Sequence, residues 1–200
     1  MTMAQSLLQP FSSAATRILR MDHAHVLADF QKLRADTTPA VRSALCRRIC
    51  TALDIHMQLE EELFHPALRE LESHLPALDR SEADHADMRL QIERVRQLSE
   101  HEEDPTAALT ALITQVLHHV ADEETQLLPA AEELLGAQRL RELGARMTRR
   151  RFELARPHAV DMAADAARAA PLKTALFAAG TLLASGLVFQ HFRRRRTTRH

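Results

Sequence analysis

The 200-residue chain has no tryptophan, no tyrosine and only four glycines, although 46% of its residues are hydrophobic. Aromatic side chains favour strands and glycine disfavours helices, so this composition predicts helices rather than a sheet. A chain of this length can bury one sizeable core and still carry a tail. The first expectation is therefore an all-α protein.

Cysteine is also scarce. The two cysteines, Cys46 and Cys50, lie four residues apart on one predicted helix. That spacing is awkward for a disulfide, and no second pair completes a zinc site. We expect two reduced thiols near the core, as in a reducing compartment.

Several common functional signals are missing. The N-terminus lacks a basic segment followed by a long apolar run, which argues against a secretory signal and favours a cytoplasmic bundle. The helical register brings together no Ser/His/Asp or Cys/His set of the kind that nucleophilic catalysis needs. The arginines at 193–196 have no interleaved aromatic residues for base stacking, so no nucleic-acid partner is expected.

The net charge of −1 conceals two parts of opposite sign. Residues 1–136 contain 23 acidic and 12 basic side chains, whereas residues 137–200 contain 4 acidic and 14 basic ones. This pattern predicts an acidic globular domain over 1–136 and a basic appendage after it.

What the chain does have is a duplication that is rich in histidine. Asp22-His23-Ala24 recurs further along the chain as Asp84-His85-Ala86. His56-x3-Glu60-Glu61-x4-Pro66 recurs, in nearly the same register, as His119-x3-Glu123-Glu124-x4-Pro129. Each copy is predicted to form a helix hairpin that cannot bury its apolar face alone. Two such hairpins joined by short connections predict an up-down-up-down four-helix bundle.

Capping and proline signals predict the helix boundaries. The four helices are expected from Ser13 to Ala35, from Pro39 towards Leu71 with a kink at Pro66, from a Ser81-x-x-Asp84 capping box, and from Asp104-Pro105 to Gly136. Within 137–171, Leu140, Leu143, Met147 and Phe152 predict a basic amphipathic helix on the end of the bundle. The Ala-rich stretch from Ala155 to Pro171 is expected to be a linker or a weakly held helix.

The candidate metal ligands are the repeated residues on the apolar faces of these helices. Residues four apart on a helix point in similar directions, so His56 and Glu60 can reach one metal ion, as can His119 and Glu123. A buried carboxylate needs compensation, which a cation supplies. Glu61 and Glu124 are expected to turn towards solvent. The predicted ligands are His23, His56, Glu60, His85, His119 and Glu123.

Two interpretations of this set stay open. In the first, two metal ions share both glutamates and each takes two histidines. In the second, the histidines are ordinary core residues that Glu60 and Glu123 satisfy. The remaining histidines, including His25, His65 and His118, are expected to be ordinary.

The ligand types bear on the metal. Imidazole and carboxylate without thiolate suit iron or manganese, with zinc as an alternative. The ferritin-like pattern of Glu-x-x-His pairs does not fit, because here histidine precedes glutamate at a spacing of four.

Together these motifs over residues 13–136 resemble the hemerythrin-like family, also called the HHE cation-binding domain. Its members hold a non-haem di-iron centre in a four-helix bundle. The resemblance implies two iron ions, with terminal ligands His23, His56, His85 and His119 and bridging ligands Glu60 and Glu123.

The chain departs from the oxygen-carrying members at two places. Those proteins have a second histidine four residues after the third-helix ligand, where this chain has Arg89. They have an aspartate five residues after the last histidine, where this chain has Glu123 at four. We therefore expect the five-histidine asymmetry of the carriers to be absent, and with it respiratory oxygen carriage.

The C-terminal tail contains an apolar run. Residues 175–189 carry no charge and are flanked by Lys173 and by the arginines at 193–196. Residues 172–192 therefore predict a transmembrane anchor at the inner face of the cytoplasmic membrane, followed by an Arg-rich end at 193–200. A soluble or dimerising helix is the alternative, because Gly180-x3-Ala184 permits close helix pairing and a homodimer.

Two functions follow from these features. The first is a di-iron protein that binds or reacts with oxygen, peroxide or nitric oxide in a stress response or in iron handling. If it is an enzyme, peroxide decomposition is the expected reaction. The second is a membrane-tethered sensor or interaction module without catalysis.

Overall fold

The computed structural model describes residues 14–34, 36–101 and 103–169. Within these residues every regular element is a helix, which confirms the all-α class. The helices are α1 (Ala14–Phe30), α2 (Pro39–Leu59), α3 (His65–Arg69), α4 (Pro76–Glu100), α5 (Thr106–Asp122), α6 (Leu128–Ala155) and α7 (Ala159–Ala169).

The predicted four-helix bundle is present. Its rods are α1, α2 continued by α3, α4, and α5 continued by the first part of α6. The α1 rod packs against α2 and α6, while α4 packs against α5 and α2, so the four rods close into a ring. Short connections join consecutive rods, as an up-down-up-down arrangement requires.

The bundle core has two apolar clusters with a polar layer between them. One cluster includes Val26, Met57 and Met88. The other includes Leu19 and Leu127. Along each rod the motif histidine or glutamate lies between residues of the two clusters, so the candidate ligands form one layer across the bundle.

Two π-helical turns shape that layer. Glu60–Phe64 joins α2 to α3, and Glu123–Leu127 joins α5 to α6. Each turn ends just before a proline, Pro66 or Pro129, which has no N–H to continue an α-helical ladder. The expected kink at Pro66 therefore takes the form of a widened turn before the proline, and Glu60 and Glu123 each begin such a turn.

One predicted boundary is wrong. The Ser81-x-x-Asp84 pattern does not begin a helix, because α4 begins at Pro76 and Ser81 lies inside it, 3% exposed. Proline is well suited to the first position of a helix because it needs no N–H partner there. The Ser81 hydroxyl is instead used in the polar layer.

Gly136 breaks the last rod, as the sequence predicts. Its φ of 69° lies in the left-handed region that glycine enters without a Cβ penalty. The chain then continues as the second part of α6, where Leu140, Leu143 and Met147 are buried against the bundle. Phe152, expected on the same buried face, is 73% exposed.

Part of the Ala-rich stretch is helical. A 3-10 turn over Arg156–His158 leads into α7, which packs against α2. Asp165 accepts hydrogen bonds from both Nε and Nη2 of Arg47, at 2.9 and 2.5 Å, and Ala169 joins the core cluster that contains Met57.

Within the described residues, no helix combines the length and the apolar character needed to cross a membrane. The predicted anchor at 172–192 and the Arg-rich end at 193–200 lie outside the described residues.

Candidate metal centre

The structure brings all six predicted ligands together in the polar layer. Each of the four histidines directs Nε2 towards a glutamate carboxylate. The pairs are His23 with Glu123 at 3.2 Å, His56 with Glu60 at 3.2 Å, His85 with Glu60 at 3.1 Å, and His119 with Glu123 at 3.5 Å. None of the six residues is more than 4% exposed.

Two overlapping sets of donor atoms are each close enough to hold one cation. The atoms within each set lie within 4.8 Å of one another, and both sets use Glu60 and Glu123. The shared glutamates match the expectation of two ions bridged by carboxylates, but the predicted ligand His23 is in neither set and His65 is in one of them. The two sets are His56, Glu60, His119 and Glu123, and Glu60, His65, His85 and Glu123.

The hydrogen bonding of this layer is incomplete without a cation. Folded proteins rarely leave buried polar atoms without a partner. Among the described residues, ten buried side-chain nitrogen and oxygen atoms have none, and all ten belong to the layer. This is evidence against core histidines that the glutamates alone satisfy, and it fits a layer built around metal ions. The residues concerned are His23, His56, Glu60, His65, His85, His119 and Glu123.

A second ring of carboxylates faces the outer nitrogen, Nδ1, of each repeated histidine. Glu124 lies 2.8 Å from His23, Glu61 2.8 Å from His85, Asp22 3.6 Å from His56 and Asp84 3.7 Å from His119. A carboxylate hydrogen-bonded to Nδ1 holds the proton there and leaves the Nε2 lone pair for a metal, as Glu124 does for His23 and Glu61 does for His85. The two aspartates lie near Nδ1 of His56 and His119 without forming a hydrogen bond to it.

The outer carboxylates correct the expectation for Glu61 and Glu124 and show where the repeated aspartates lie. Glu61 and Glu124, expected to turn towards solvent, are about one-third exposed, at 34% and 32%, but each holds a histidine. Each aspartate faces the histidine of its own hairpin, whereas each of these glutamates faces a histidine of the other hairpin. The duplicated Asp-His and Glu-Glu pairs are therefore both used.

Arginines hold three of the four outer carboxylates. Arg151, from the second part of α6, binds Asp22 through both guanidinium NH2 groups. Arg20 donates to Glu124 at 3.0 Å. Arg89 donates to Glu61. Arg89 occupies the position where oxygen carriers have an extra histidine, and here it supports the partner of His85.

The buried charges in the layer shift one another's pKa values. Burial lowers the pKa of His23, but Glu123 and Glu124 outweigh it and raise that pKa to about 9. Burial and the charge of Glu123 raise the pKa of Glu60, but His56 and His85 hold it below its usual value. The glutamates are therefore ionised, and a metal that binds His23 must first displace a proton.

Sequence reasoning missed two residues of this layer. Ser81 donates a hydrogen bond to Glu123 Oε1 at 2.8 Å. His65 is 3% exposed and stacks on His85, with ring centroids 5.4 Å apart. Neither residue recurs in the other copy of the motif, so the repeat could not reveal them. Within the described residues, the other histidines expected to be ordinary are exposed, namely His25, His74, His101, His118 and His158.

Fold and layer together define a class: helical-bundle proteins with a buried histidine and glutamate metal site. The model of the Hemerythrin HHE cation binding domain matches residues 14–131. The chain therefore belongs to the hemerythrin HHE family. No curated protein and no solved structure matches it.

Proposed function

We propose that the chain binds two non-haem iron ions and that the pair binds or reacts with oxygen, peroxide or nitric oxide. The observation that carries the metal site is that, within the described part of the chain, all ten buried side-chain nitrogen and oxygen atoms without a hydrogen-bond partner lie in the polar layer. Nitrogen and oxygen donors without thiolate favour iron, with manganese or zinc as alternatives.

The chain's own residues have distinct tasks in this site. Glu60 and Glu123 would bridge the two ions, and the four repeated histidines would each bind through Nε2. Glu124 and Glu61 keep the proton on Nδ1 of His23 and His85. Ser81 fixes the Glu123 carboxylate. Iron supplies reversible one-electron steps and positions at which a small ligand can bind.

Burial restricts what can reach the ions. The candidate ligands are at most 4% exposed, so a bulky substrate cannot contact them without opening the bundle. Molecules of two to four atoms, such as oxygen, nitric oxide or hydrogen peroxide, meet this limit. Oxygen carriage is not favoured, because the position from which the carriers supply a further histidine holds Arg89, which cannot bind a metal and donates to Glu61. Peroxide decomposition is the enzyme activity that we place first.

The test is to load the full chain with ferrous iron and mix it rapidly with oxygen, hydrogen peroxide or nitric oxide. We expect an optical change within the mixing experiment for at least one of them, and continuous oxygen release from peroxide if the protein is an enzyme. His119→Ala should lose the response and the exposed neighbour variant His118→Ala should keep it. A loaded protein inert to all three would contradict this function.

A ligand-dependent sensor is the alternative, and one contact favours it. Arg151, on the second part of α6, binds Asp22, which faces His56. Ligand binding at the ions could therefore alter how this segment packs. A sensor would show stoichiometric spectral change with no turnover, together with altered amide exchange in residues 137–155.

We also propose that residues 172–192 anchor the bundle to the inner face of the cytoplasmic membrane. The support is the uncharged run at 175–189 and its basic flanks. Membrane fractionation of the full chain and of a chain ending at residue 171 tests this. Equal solubility of both would contradict the anchor, and a size change between them would instead support a dimerising tail.

A further inference from the structure

The two copies of the motif have different residues at two matched positions near the metal layer. The alignment of the two copies that pairs His56 with His119 also pairs His65 with Leu128. The alignment that pairs His23 with His85 also pairs Leu19 with Ser81. Both leucines are fully buried in the same apolar cluster. The duplicated site therefore carries a histidine and a serine at positions whose counterparts in the other copy are leucines.

His65 lies in the layer with one ring nitrogen left without a hydrogen-bond partner and the other facing the ligand cluster. Its Nδ1 is buried without a hydrogen-bond partner, and Glu82 Oε1 lies 3.9 Å from it on the outer side. Its Nε2 lies 3.4 Å from Ser81 Oγ, which itself contacts Glu123 at 2.8 Å. Nε2 is therefore on the side of the cluster, with an acid beyond Nδ1, as in the four repeated histidines.

Distance permits ligation with small adjustments. A ring nitrogen of His65 lies within 4.8 Å of donor atoms of Glu60, His85 and Glu123. Two ligands on opposite sides of one ion, each bonded at about 2.1 Å, are about 4.2 Å apart. Contraction of the set by a few tenths of an ångström would bring His65 into bonding range.

We propose that His65 is a further ligand of one metal ion, the ion nearest His85, and that Ser81 is its positioning residue. This proposal rests on the proposed di-metal function and goes beyond it. It makes the two ions unequal, because His65 and the four repeated histidines are five imidazoles for two ions, so one ion takes three and its neighbour two. The ion with fewer histidines is then the one with more room for a small molecule.

With His65 as a ligand, the site has the five-histidine asymmetry that the absence of a histidine at Arg89 had led us to exclude. Arg89 occupies the position from which the carriers supply the additional histidine of this asymmetry. Here the additional imidazole comes from α3, immediately after a π-helical turn. From the first residue of α3 it contacts Ser81 and stacks on His85, both of which lie on α4.

The test uses the full chain, loaded with iron-57 and examined by Mössbauer spectroscopy, together with a metal titration. The wild type should bind two ions in unequal steps and show two iron environments of equal area. His65→Leu, which copies the matched Leu128, should still bind two ions. Its affinity for one ion should fall at least tenfold, and its two iron environments should become alike. His118→Leu, a histidine outside the layer, should match the wild type.

The outcomes separate this proposal from the function on which it rests. A wild type without metal overturns both. If His65→Leu binds two ions with unchanged affinities and an unchanged spectrum, the role of His65 is overturned and the di-metal function stands. The same holds if a folded His65→Leu loses both ions equally. If His65→Leu fails to fold, His65→Gln keeps a polar side chain that ligates poorly and must meet the same criteria. Ser81→Ala should weaken binding of the ion that His65 holds more than binding of its neighbour, because Ser81 contacts both His65 and the shared Glu123.

Discussion

The carboxylate of Glu61 offers a sharp test of the outer ring. Its Oε1 lies 2.8 Å from His85 Nδ1, within a hydrogen bond between a carboxylate and a ring N–H. Hydrogen bonds to charged groups contribute about 1.5–3 kcal/mol. Because the Glu61 side chain is 34% exposed and shared with Arg89, the lower value applies. Loss of about 1.5 kcal/mol corresponds to about tenfold weaker metal binding, within the range for such partners.

Glu61→Gln keeps the size of the side chain and removes its charge, and Glu62→Gln is its matched control. Glu62 is the next residue, is 40% exposed and pairs with Arg150 rather than with a histidine. Metal affinity measured by chelator competition should fall about tenfold in Glu61→Gln and stay unchanged in Glu62→Gln. Equal affinities in the two variants would refute the claim that Glu61 supports His85 as a ligand.

Three further outcomes follow from burial and charge. Metal affinity should rise by up to about tenfold per pH unit as the pH approaches 9, because the pKa of His23 is raised to about 9 and its proton must leave before a metal binds. An affinity that does not change with pH in chelator competition would contradict this. Asp165→Asn should destabilise the docking of α7 by about 1–2 kcal/mol and speed its amide exchange above pH 4. The hydrogen bond from Arg47 lowers the pKa of Asp165, so the contact contributes fully above the usual carboxyl pKa and is lost as the pH falls through the lowered pKa of the folded state. Burial raises the pKa of Cys46 to about 11 and of Cys50 to about 12, so thiol reagents at pH 8 should label the native protein far more slowly than the unfolded one; equal rates would show that these thiols are not enclosed.

The sequence predicted the parts of the fold that repeat. Periodic apolar positions and two matched hairpins are enough to indicate a bundle, because each hairpin must bury its face against the other. His56 and Glu60 could be paired from helix geometry alone, since residues four apart share a face. The thiols of Cys46 and Cys50 are free and buried, as expected.

The sequence-based predictions that were wrong, or that were not made, concern contacts between helices. Ser81 was interpreted as a cap because a local pattern cannot show that Pro76 begins the helix earlier. Glu61 was predicted to face solvent because its direction was judged from its own helix alone. That geometry does not show that His85 of the other hairpin lies beside it. The repeated Glu-Glu pair was a signal for this, because both glutamates recur and not only the first. His65 gave no such signal, because its environment comes from α4 and its position is not duplicated.

The central claim is that the buried layer of histidines and glutamates binds two metal ions. The most direct test is the metal content and optical spectrum of the purified full chain beside Glu60→Ala and His119→Ala, with His118→Ala as the control. The account predicts close to two irons per chain, with near-ultraviolet absorption typical of a bridged pair that both layer variants lose and the control keeps. A chain without metal, or one whose metal content is indifferent to both substitutions, would contradict it.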